Sequence, residues 1–373
     1  MTATSQRFVP FFNYRAAFLA HEEAFVGIFR DVLRRGAFIQ QRDLADFEQH
    51  LASFLGVRHA IGTGNATDGL VMSLRAAGVG PGDEVVLPSH TMVATAAAVA
   101  HVGATPVLAD CGDDHLVEPA SMAAAITPRT KALMPVHLNG RTCDMDAIGR
   151  IAGQKGLRIV EDAAQALGSR FKGRAAGAFG VAAAISFYPA KILGCLGDGG
   201  AVVTGEDEVA RIVRLLRDHG RGENGEVSMW GFNSRLDNLQ AALLDHQFRD
   251  YQAIIDRRRA IARAYQERLG DIAELTLPPA PGADPDHYDT FQNYELEAER
   301  RDALRQFLSG HGIGTLIQWG GKAVHQFSAL GFRQRLPRTE RLFERCLMLP
   351  MNVTLSDEDV AYVCDRVREF HAR

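Results

Sequence analysis

The sequence predicts an α/β fold whose main sheet is mostly parallel, and two observations lead to that prediction. Between about residues 59 and 205, short β-rich runs alternate with alanine-rich helical stretches, which is the pattern of βαβ units. Within this region, Asp162 and Lys191 each follow a strand-like run. Because open α/β sheets bind ligands at the carboxyl ends of their strands, we expect a ligand site around these two side chains.

The elements of the alternating region are predicted from their apolar runs. The last strand follows a glycine-rich segment at 194–200 and is expected to return antiparallel. Helices are predicted at 67–77, 91–102 and 145–154, and strands at 85–87, 106–109, 132–135, 158–160, 182–187 and 201–204.

The rest of the chain predicts a smaller α/β domain, with residues 1–245 forming the large domain and 246–373 the small one. A helix is expected to begin at Ser234, in a sequence that resembles a capping box, and to continue towards residue 269. Its prolines make 275–285 a predicted surface loop. The small domain is completed by a strand at 291–296, a helix at 301–311 and a terminal helix capped by Ser356.

Composition excludes several classes of protein. A net charge of −4 over 373 residues offers no basis for binding nucleic acid. The five cysteines form no CxxC pair, which argues against a structural zinc site and favours a reducing compartment. No apolar run reaches the ~18 residues that span a bilayer, and the first residues lack the regions of a signal peptide. We therefore expect a cytoplasmic protein without a membrane partner.

Lys191 and Asp162 indicate the chemistry of the site. Lys191 lies 29 positions after Asp162. A lysine that forms a Schiff base and a carboxylate that keeps a ring nitrogen protonated are the groups that pyridoxal phosphate requires. Glu161 has the same charge as Asp162, but alternation along a strand points the two side chains to opposite faces, so only one can reach the coenzyme. Gln165, three residues further on, suits the phenolic oxygen of the coenzyme.

Residues 62–69, with the sequence GTGNATDG, predict a phosphate site. They form a glycine-rich turn directly before a predicted helix, and such a helix N-terminus offers backbone donors to a phosphate. The segment also matches the first two glycines of a dinucleotide-binding fingerprint, but Thr67 replaces the third. The sequence therefore predicts phosphate binding and not NAD binding.

With these residues placed, the chain resembles the DegT/DnrJ/EryC1/StrS family of sugar aminotransferases, which are fold-type I pyridoxal phosphate enzymes. The resemblance covers nearly the whole chain and is strongest between residues 59 and 245. It implies a mostly parallel, seven-stranded sheet flanked by helices. The segments that carry it are GNATDGL at 64–70, PVHLNG at 135–140, EDAAQALGS at 161–169, SFYPAKILGCLGDGGAVVT at 186–204 and GFNSRLDNLQAALL at 231–244.

The resemblance implies a role for each matched residue around the coenzyme ring. Lys191 would hold the coenzyme covalently, Asp162 would pair with the ring nitrogen, and Gln165 would contact the ring oxygen. Many relatives stack an aromatic side chain on the ring where this chain has Met92. A thioether can contact a ring face or edge, and nearby His90 is a second candidate for that contact.

The implied phosphate contacts involve two subunits. Thr67 and Asp68 would hold the phosphate from the start of the helix, and Ser186 would add a hydroxyl group. Asn233 would reach the phosphate of the neighbouring subunit. The resemblance therefore implies a homodimer with shared active sites.

The implied reaction moves an amino group from L-glutamate to a keto sugar linked to a nucleotide diphosphate. The sequence GDGG after the lysine favours a 3-keto-6-deoxyhexose. The alternatives are a 4-keto sugar, an aminocyclitol or, less favoured, a regulator that binds the coenzyme without catalysis. A cysteine desulfurase would need a mobile catalytic cysteine, and Cys195, four residues after Lys191, is too constrained for that role.

Five further side chains are candidates for substrate contact, and each has a purely structural alternative. His137 follows a predicted strand, and Arg235 could neutralise a carboxylate or a diphosphate. Trp319 and His325 lie in a glycine-containing segment that could form a sugar-nucleotide loop, although a tryptophan in a small domain more often packs. Tyr188 belongs to the segment that precedes the predicted coenzyme lysine.

Overall fold

The computed structural model describes residues 7–373 and is built around a seven-stranded sheet. Over these residues the strands are β1 (His59–Thr63), β2 (Glu84–Pro88), β3 (Thr105–Ala109), β4 (Thr130–Leu133), β5 (Arg158–Asp162), β6 (Arg170–Phe171), β7 (Arg174–Ala175), β8 (Ala182–Ser186), β9 (Gly200–Thr204), β10 (Leu275–Thr276), β11 (His287–Tyr288), β12 (Tyr294–Ala298) and β13 (Cys346–Leu349). The large sheet has the order β1-β9-β8-β5-β4-β2-β3. Strand β9 is antiparallel to β1 and β8, and all other neighbours are parallel. The predicted sheet and its antiparallel return are confirmed.

Helices flank this sheet, and α4, α5 and α7 correspond to the three predicted in the alternating region. In the described part of the chain, no helix is both long and apolar enough to cross a membrane. The α-helices are α1 (Tyr14–Leu19), α2 (Glu22–Arg35), α3 (Arg42–Leu55), α4 (Ala66–Ala76), α5 (Val93–His101), α6 (Pro119–Ala124), α7 (Met145–Lys155), α8 (Asp207–Arg217), α9 (Asn238–Phe248), α10 (Tyr251–Leu269), α11 (Arg301–Gly310), α12 (Pro337–Arg345) and α13 (Asp357–His371).

Helix α4 lies close against the sheet because of one glycine and three buried apolar side chains. A Cβ on Gly69 would lie 3.4 Å from side-chain atoms of both Ala184 in β8 and Val202 in β9. Leu70, Met72 and Leu74 of the same helix are buried. Burial of each such side chain stabilises the fold by roughly 1.5–3 kcal/mol. This packing fixes the N-terminus of α4 at the edge of the sheet where β1 ends.

The C-terminal part of the chain has its own sheet and apolar core. Its three strands are in the order β10-β12-β13 and are antiparallel, and α10, α11 and α13 pack around them. The predicted Ser356 capping box begins α13, with the serine hydroxyl accepting the N–H of Asp359. Val9 belongs to this core and pairs with Ile313, so the start of the described chain packs with its end. The domain boundary at residue 245 stays a prediction.

The helix predicted from Ser234 to residue 269 is wrong in its start and its continuity. Helix α9 begins only at Asn238, and α10 is a separate helix that begins at Tyr251. The Ser234 hydroxyl donates to the carboxylate of Asp68 instead of capping a helix. Further elements were not predicted from the sequence: strands β1, β6, β7, β10, β11 and β13, and helices α1, α2, α3, α6, α8 and α12. The two-residue strands among them are too short to show a hydrophobic period.

Candidate active site

The carboxyl ends of β1, β5 and β8 meet at one edge of the large sheet. Gly200, the first residue of β9, pairs with Thr63 at the end of β1 and with Ser186 at the end of β8. Asp162, the last residue of β5, pairs with Ala184 in β8. The register therefore brings Ser186, Asp162 and the N-terminus of α4, which follows β1, to the same edge.

The N-terminus of α4 forms an anion site. Asn65 caps the helix, and its side-chain oxygen accepts the N–H of Asp68 at 2.8 Å. Among residues 7–373, the N–H groups of Ala66 and Thr67 and the Thr67 hydroxyl find no hydrogen-bond partner. A Cβ on Gly200 would lie 2.5 Å from the carbonyl carbon of Asn65, so glycine is needed where β9 passes the helix start. Free donors at the positive end of the helix dipole suit a phosphate group.

Asp68 does not offer its side chain to an anion. One carboxylate oxygen accepts the Ser234 hydroxyl at 2.6 Å and the Asn65 side-chain amide at 3.1 Å. The Ser234 oxygen in turn accepts the N–H of Gly64. The carboxylate thus ties the loop before α9 to the start of α4. The contact of Asp68 with the phosphate from the helix start stays a prediction.

Asp162 is a buried carboxylate that bonds to a hydroxyl and to a backbone N–H. Its two oxygens accept the Thr95 hydroxyl at 2.7 Å and the N–H of Ala164 at 3.1 Å. Burial raises the pKa of Asp162, and these two hydrogen bonds and the charge of Lys191 oppose that increase only in part. Among residues 7–373, no cation forms an ion pair with it. The carboxylate therefore suits a buried cationic N–H group.

The adjacent Glu161 points to the opposite face of β5, as strand alternation predicts. Its carboxylate accepts the N–H groups of Gly177, Phe179 and Gly180 at 2.6–2.8 Å. The fourth partner is Nε2 of His137 at 2.8 Å. Glu161 is 0% exposed, so it cannot be the carboxylate of the ligand site.

His137 is not positioned to contact a substrate. The side chain is 0% exposed, and Nδ1 accepts the N–H of Cys143 while Nε2 bonds to Glu161. Both ring nitrogens are thus used inside the protein. The prediction of substrate contact by His137 is corrected to a structural role, because its strand alternation places it beside Glu161 and not beside Asp162.

Lys191 lies in the loop that follows β8, and it lines a cavity of about 300 Å³. Burial lowers the pKa of Lys191 to about 8, and the Asp162 carboxylate acts in the opposite direction. The amine is therefore partly neutral near pH 8, and only a neutral amine can act as a nucleophile. The charges of Lys191 and Asp162 influence each other's pKa, as two groups of one site would.

The side-chain amide of Gln165 is held through its oxygen only. Its Oε1 accepts the N–H of Asn139 at 3.0 Å and the side-chain amide of Asn293 at 3.2 Å. Among residues 7–373, its Nε2 group makes no hydrogen bond. The amide N–H groups of Gln165 are therefore available to an acceptor on a bound molecule.

Comparison with known proteins assigns the chain to a family. Residues 20–368 match the DegT/DnrJ/EryC1/StrS aminotransferase family. The chain belongs to this family. A dTDP-3-amino-3,4,6-trideoxy-alpha-D-glucose transaminase of Streptomyces venezuelae is 40% identical over an alignment of 371 residues that covers 98% of this chain and 97% of that protein.

Two further similarities also extend over nearly the whole chain. A UDP-N-acetyl-3-dehydro-alpha-D-glucosamine 3-aminotransferase of Acidithiobacillus ferrooxidans is 39% identical, over 98% of each chain. The X-ray structure of S. venezuelae DesV has a TM-score of 0.94 and 40% identity, and the match covers 98% of this chain and 99% of that chain. The predicted family and fold class are therefore confirmed.

The protein is a pyridoxal phosphate-dependent aminotransferase, and the residues of its site fit that coenzyme. Sugar aminotransferases of this family use pyridoxal phosphate, and solved neighbours contain it or its amino form. The unpaired carboxylate of Asp162 matches a pyridinium N–H, and the free donors of Ala66 and Thr67 match a phosphate. Lys191 would provide the amine that attaches to the aldehyde.

Four other predicted residues of the aminotransferase lie at the surface or at its edge. Met92 is 48% exposed and directly precedes α5. The first turn of α5 contains Thr95, which donates a hydrogen bond to Asp162. Ser186 is half-buried, and its oxygen accepts the N–H of Tyr188. Tyr188 is 52% exposed. Asn233 is exposed, and its backbone pairs with Asp218. Their roles towards coenzyme and substrate stay predictions.

The alternative candidate His90 is enclosed. Its ring lies 5.3 Å from those of both Trp319 and Phe343, and Nδ1 bonds to the carbonyl of His115. His90 is 1% exposed, so it cannot stack on the coenzyme. Trp319 is used in the same packing, with a left-handed φ of 47°, which supports the structural alternative for this tryptophan.

Two further predicted residues, Arg235 and His325, bond within the protein, and Cys195 is buried. Arg235 forms an ion pair with Asp218 at 2.7 Å, and the same carboxylate pairs with Arg221 at 3.0 Å. His325 is buried, and its Nδ1 bonds to the Ser89 hydroxyl; this burial does not fit the predicted substrate contact. Burial raises the pKa of the Cys195 thiol well above its usual range, which contradicts any role as a desulfurase nucleophile.

Proposed function

We propose that the enzyme transfers the amino group of L-glutamate to a nucleotide-diphosphate-linked 3-keto-6-deoxyhexose. The observation that carries the proposal is the arrangement of Lys191, with a pKa of about 8, near the unpaired carboxylate of Asp162 and the N-terminus of α4. When bound, the coenzyme supplies an electron sink and carries the amino group between two half-reactions.

The side chains of the site have separate tasks in this proposal. The Nζ atom of Lys191 attaches the coenzyme and then moves a proton on the substrate carbon, for which a pKa near the working pH is favourable. Asp162 keeps the ring nitrogen protonated through a charge-assisted hydrogen bond. Thr95 holds the Asp162 carboxylate in the position that this bond requires.

The two relatives named above support a 3-keto substrate. One is named for a 3-amino product linked to dTDP, and the other for a 3-dehydro substrate linked to UDP. The GDGG segment of this chain, at 197–200, led to the same preference. A nucleotide diphosphate would also supply binding energy remote from the reacting ketone, which can be used to position it.

We further propose a homodimer in which Asn233 reaches the neighbouring active site. Asn233 is exposed in the monomer, as a residue that serves another subunit would be. A group of apolar side chains is also exposed on α2 and the segment after it, and association would bury it. This group comprises Val26, Phe29, Leu33, Phe38 and Ile39.

The substrate can be tested in the reverse direction, with 2-oxoglutarate and a series of amino sugars. Formation of glutamate is expected with a 3-amino-3,6-dideoxyhexose linked to dTDP or UDP, and not with the 4-amino isomers. A response to 4-amino isomers alone would contradict the 3-keto assignment. A response to a free aminocyclitol alone would contradict the nucleotide-sugar class.

The shared site can be tested with mixed subunits. Lys191→Ala and Asn233→Ala dimers should each have little activity, and mixing them should restore one intact site per hybrid dimer. Borohydride reduction of the wild-type enzyme should fix the coenzyme on Lys191. A fully active monomer in sedimentation would contradict the shared site, and coenzyme fixed on the Lys191→Ala variant would contradict the assignment of the lysine.

A further inference from the structure

We propose that Gln292 and Asn293 form a positioning pair that orients Lys191 and Gln165 at the coenzyme. The inference rests on the proposed roles of Lys191 and Gln165. Both members of the pair are buried, with exposures of 6% and 8%, and both precede β12 in the C-terminal part of the chain. Neither was a candidate on the sequence.

Gln292 bonds to the backbone on both sides of Lys191. Its Nε2 donates to the carbonyl of Ala190 at 2.9 Å, and its Oε1 accepts the N–H of Ile192 at 2.9 Å. A carbonyl can only accept and an N–H can only donate, so the orientation of this amide is unambiguous. Two bonds that span one residue fix its backbone, and they therefore fix the direction in which the Lys191 side chain leaves the chain.

Asn293 determines which end of the Gln165 amide faces the coenzyme. Its Nδ2 donates to Gln165 Oε1 at 3.2 Å and to Asn139 Oδ1 at 2.8 Å. The backbone N–H of Asn139 donates to the same Gln165 oxygen. With its oxygen held by two donors, Gln165 can present only its NH2 group to a bound molecule. The NH2 group is the end of the amide that can donate a hydrogen bond to a phenolate oxygen.

The segment that contains the pair is held between α10 on one side and Gly140 on the other. The buried guanidinium of Arg258 donates to the carbonyls of Phe291 and Gln292 at 2.9 and 3.1 Å. Phe291 has a left-handed φ of 51°, a conformation that only the surrounding structure can maintain. A Cβ on Gly140 would lie 2.5 Å from the N atom of Phe291, so glycine allows this close approach. The pair is thus fixed relative to Asn139 and Gln165.

The Asn293→Asp variant tests the orientation of Gln165, with Asn238→Asp as the matched control. The introduced carboxylate would replace one of the two donors to Gln165 Oε1 with an acceptor and leave only the N–H of Asn139, so the glutamine amide should turn its NH2 group to the carboxylate and its oxygen towards the coenzyme. Loss of a donor to the phenolate should raise the pH midpoint of the visible band of the bound coenzyme by about one unit. Asn238 is 0% exposed and bonds to Ala37, Asp43 and Leu44, away from the site, so its variant should keep the wild-type midpoint.

Coupling to Gln165 gives the decisive comparison. Gln165→Leu should raise the midpoint in the same direction, and the Gln165→Leu, Asn293→Asp double variant should shift it no further than Gln165→Leu does. A folded Asn293→Asp enzyme with the wild-type midpoint overturns the proposal for Asn293. So does a double variant whose shift is the sum of the two single shifts, because independent shifts exclude action through Gln165.

The Gln292→Met variant tests the other member of the pair. A methionine has nearly the same length and adds no charge, but it removes the bonds to the Ile192 N–H and the Ala190 carbonyl. Coenzyme uptake by the apoenzyme should slow about tenfold with the spectral midpoint unchanged, because only the direction of Lys191 is disturbed. Unchanged uptake overturns the role of Gln292. If borohydride fixes the coenzyme on another residue, the assignment of Lys191 is wrong, and the role of Gln292 is wrong as well. An unchanged midpoint in Asn293→Asp overturns only the role of Asn293.

Discussion

The two faces of β5 hold neighbouring carboxylates in opposite situations. Glu161 accepts four hydrogen bonds, and three of its donors are backbone N–H groups of a single turn. Asp162 accepts two hydrogen bonds, and burial raises its pKa. Both side chains are buried, so exposure does not distinguish them. The number of donors does: the satisfied carboxylate stabilises the fold, and the incompletely satisfied one is available to a ligand.

The largest expected effect is that of Asp162→Asn on catalysis. Loss of the charge that holds the ring nitrogen protonated should slow half-transamination by orders of magnitude, which corresponds to ~3–5 kcal/mol of transition-state stabilisation. Stopped-flow absorbance with glutamate measures this rate. A loss of less than tenfold would contradict the role of Asp162.

The same variant should not destabilise the apoenzyme. Because the folded-state pKa of Asp162 is raised, its ionisation costs stability above the folded pKa, and that cost disappears below the unfolded pKa. Asparagine removes the cost at neutral pH. Thermal unfolding of apo Asp162→Asn at about pH 7 should therefore occur at or above the wild-type temperature.

Glu161→Gln should show the reverse pattern, with an effect on stability and little on chemistry. The glutamine can accept at one oxygen only and places an NH2 group against the backbone donors of the 177–180 turn. We expect a loss of about 2–4 kcal/mol in the free energy of unfolding, measured by denaturant titration. The half-reaction rate per folded enzyme should stay within about threefold of wild type, which is below ~1 kcal/mol. A larger rate loss with intact stability would reverse the assignment of the two faces.

The pH dependence of coenzyme uptake sharpens the comparison further. Only neutral Lys191 can attach the coenzyme, and its pKa is lowered to about 8, so the uptake rate should rise about tenfold per pH unit below about pH 7 and level off above about pH 8. The Asp162 charge raises this pKa, so Asp162→Asn should move the midpoint to lower pH. Glu161→Gln should leave the midpoint in place. A midpoint near the ordinary lysine value of 10.5 would contradict the burial of the amine.

A smaller loss of rate than that of Asp162→Asn is expected for Thr95→Val. The valine keeps the shape of the side chain but removes the hydrogen bond to Asp162, which should reduce the half-reaction rate about tenfold, or ~1.4 kcal/mol. Because Thr91 and Thr95 hydroxyls also bond to each other, Thr91→Val is the control, and it should change the rate less. Equal effects of the two variants would mean that the threonine pair acts only in packing.

The sequence by itself determined the features that are local or periodic. Alternating apolar runs predicted the strands of the parallel sheet, and the turn before α4 predicted the phosphate site. The order Asp162, Gln165, Lys191 indicated the coenzyme, and the quoted segments indicated the family. Each of these rests on neighbours in the chain, whose spacing is fixed by the backbone geometry of helices and strands.

The tertiary structure alone decided which distant side chains complete the site. Ser234 meets Asp68 across 166 positions, Thr95 meets Asp162 across 67, and Asn293 meets Gln165 across 128. Such contacts leave no period in the sequence, because the sheet order and the close approach of two loops bring the partners together. The same reason accounts for two wrong predictions. The sequence neighbours of His137 predicted a substrate contact, but in the folded protein it bonds to Glu161. Those of Ser234 predicted a helix cap, but it bonds to Asp68.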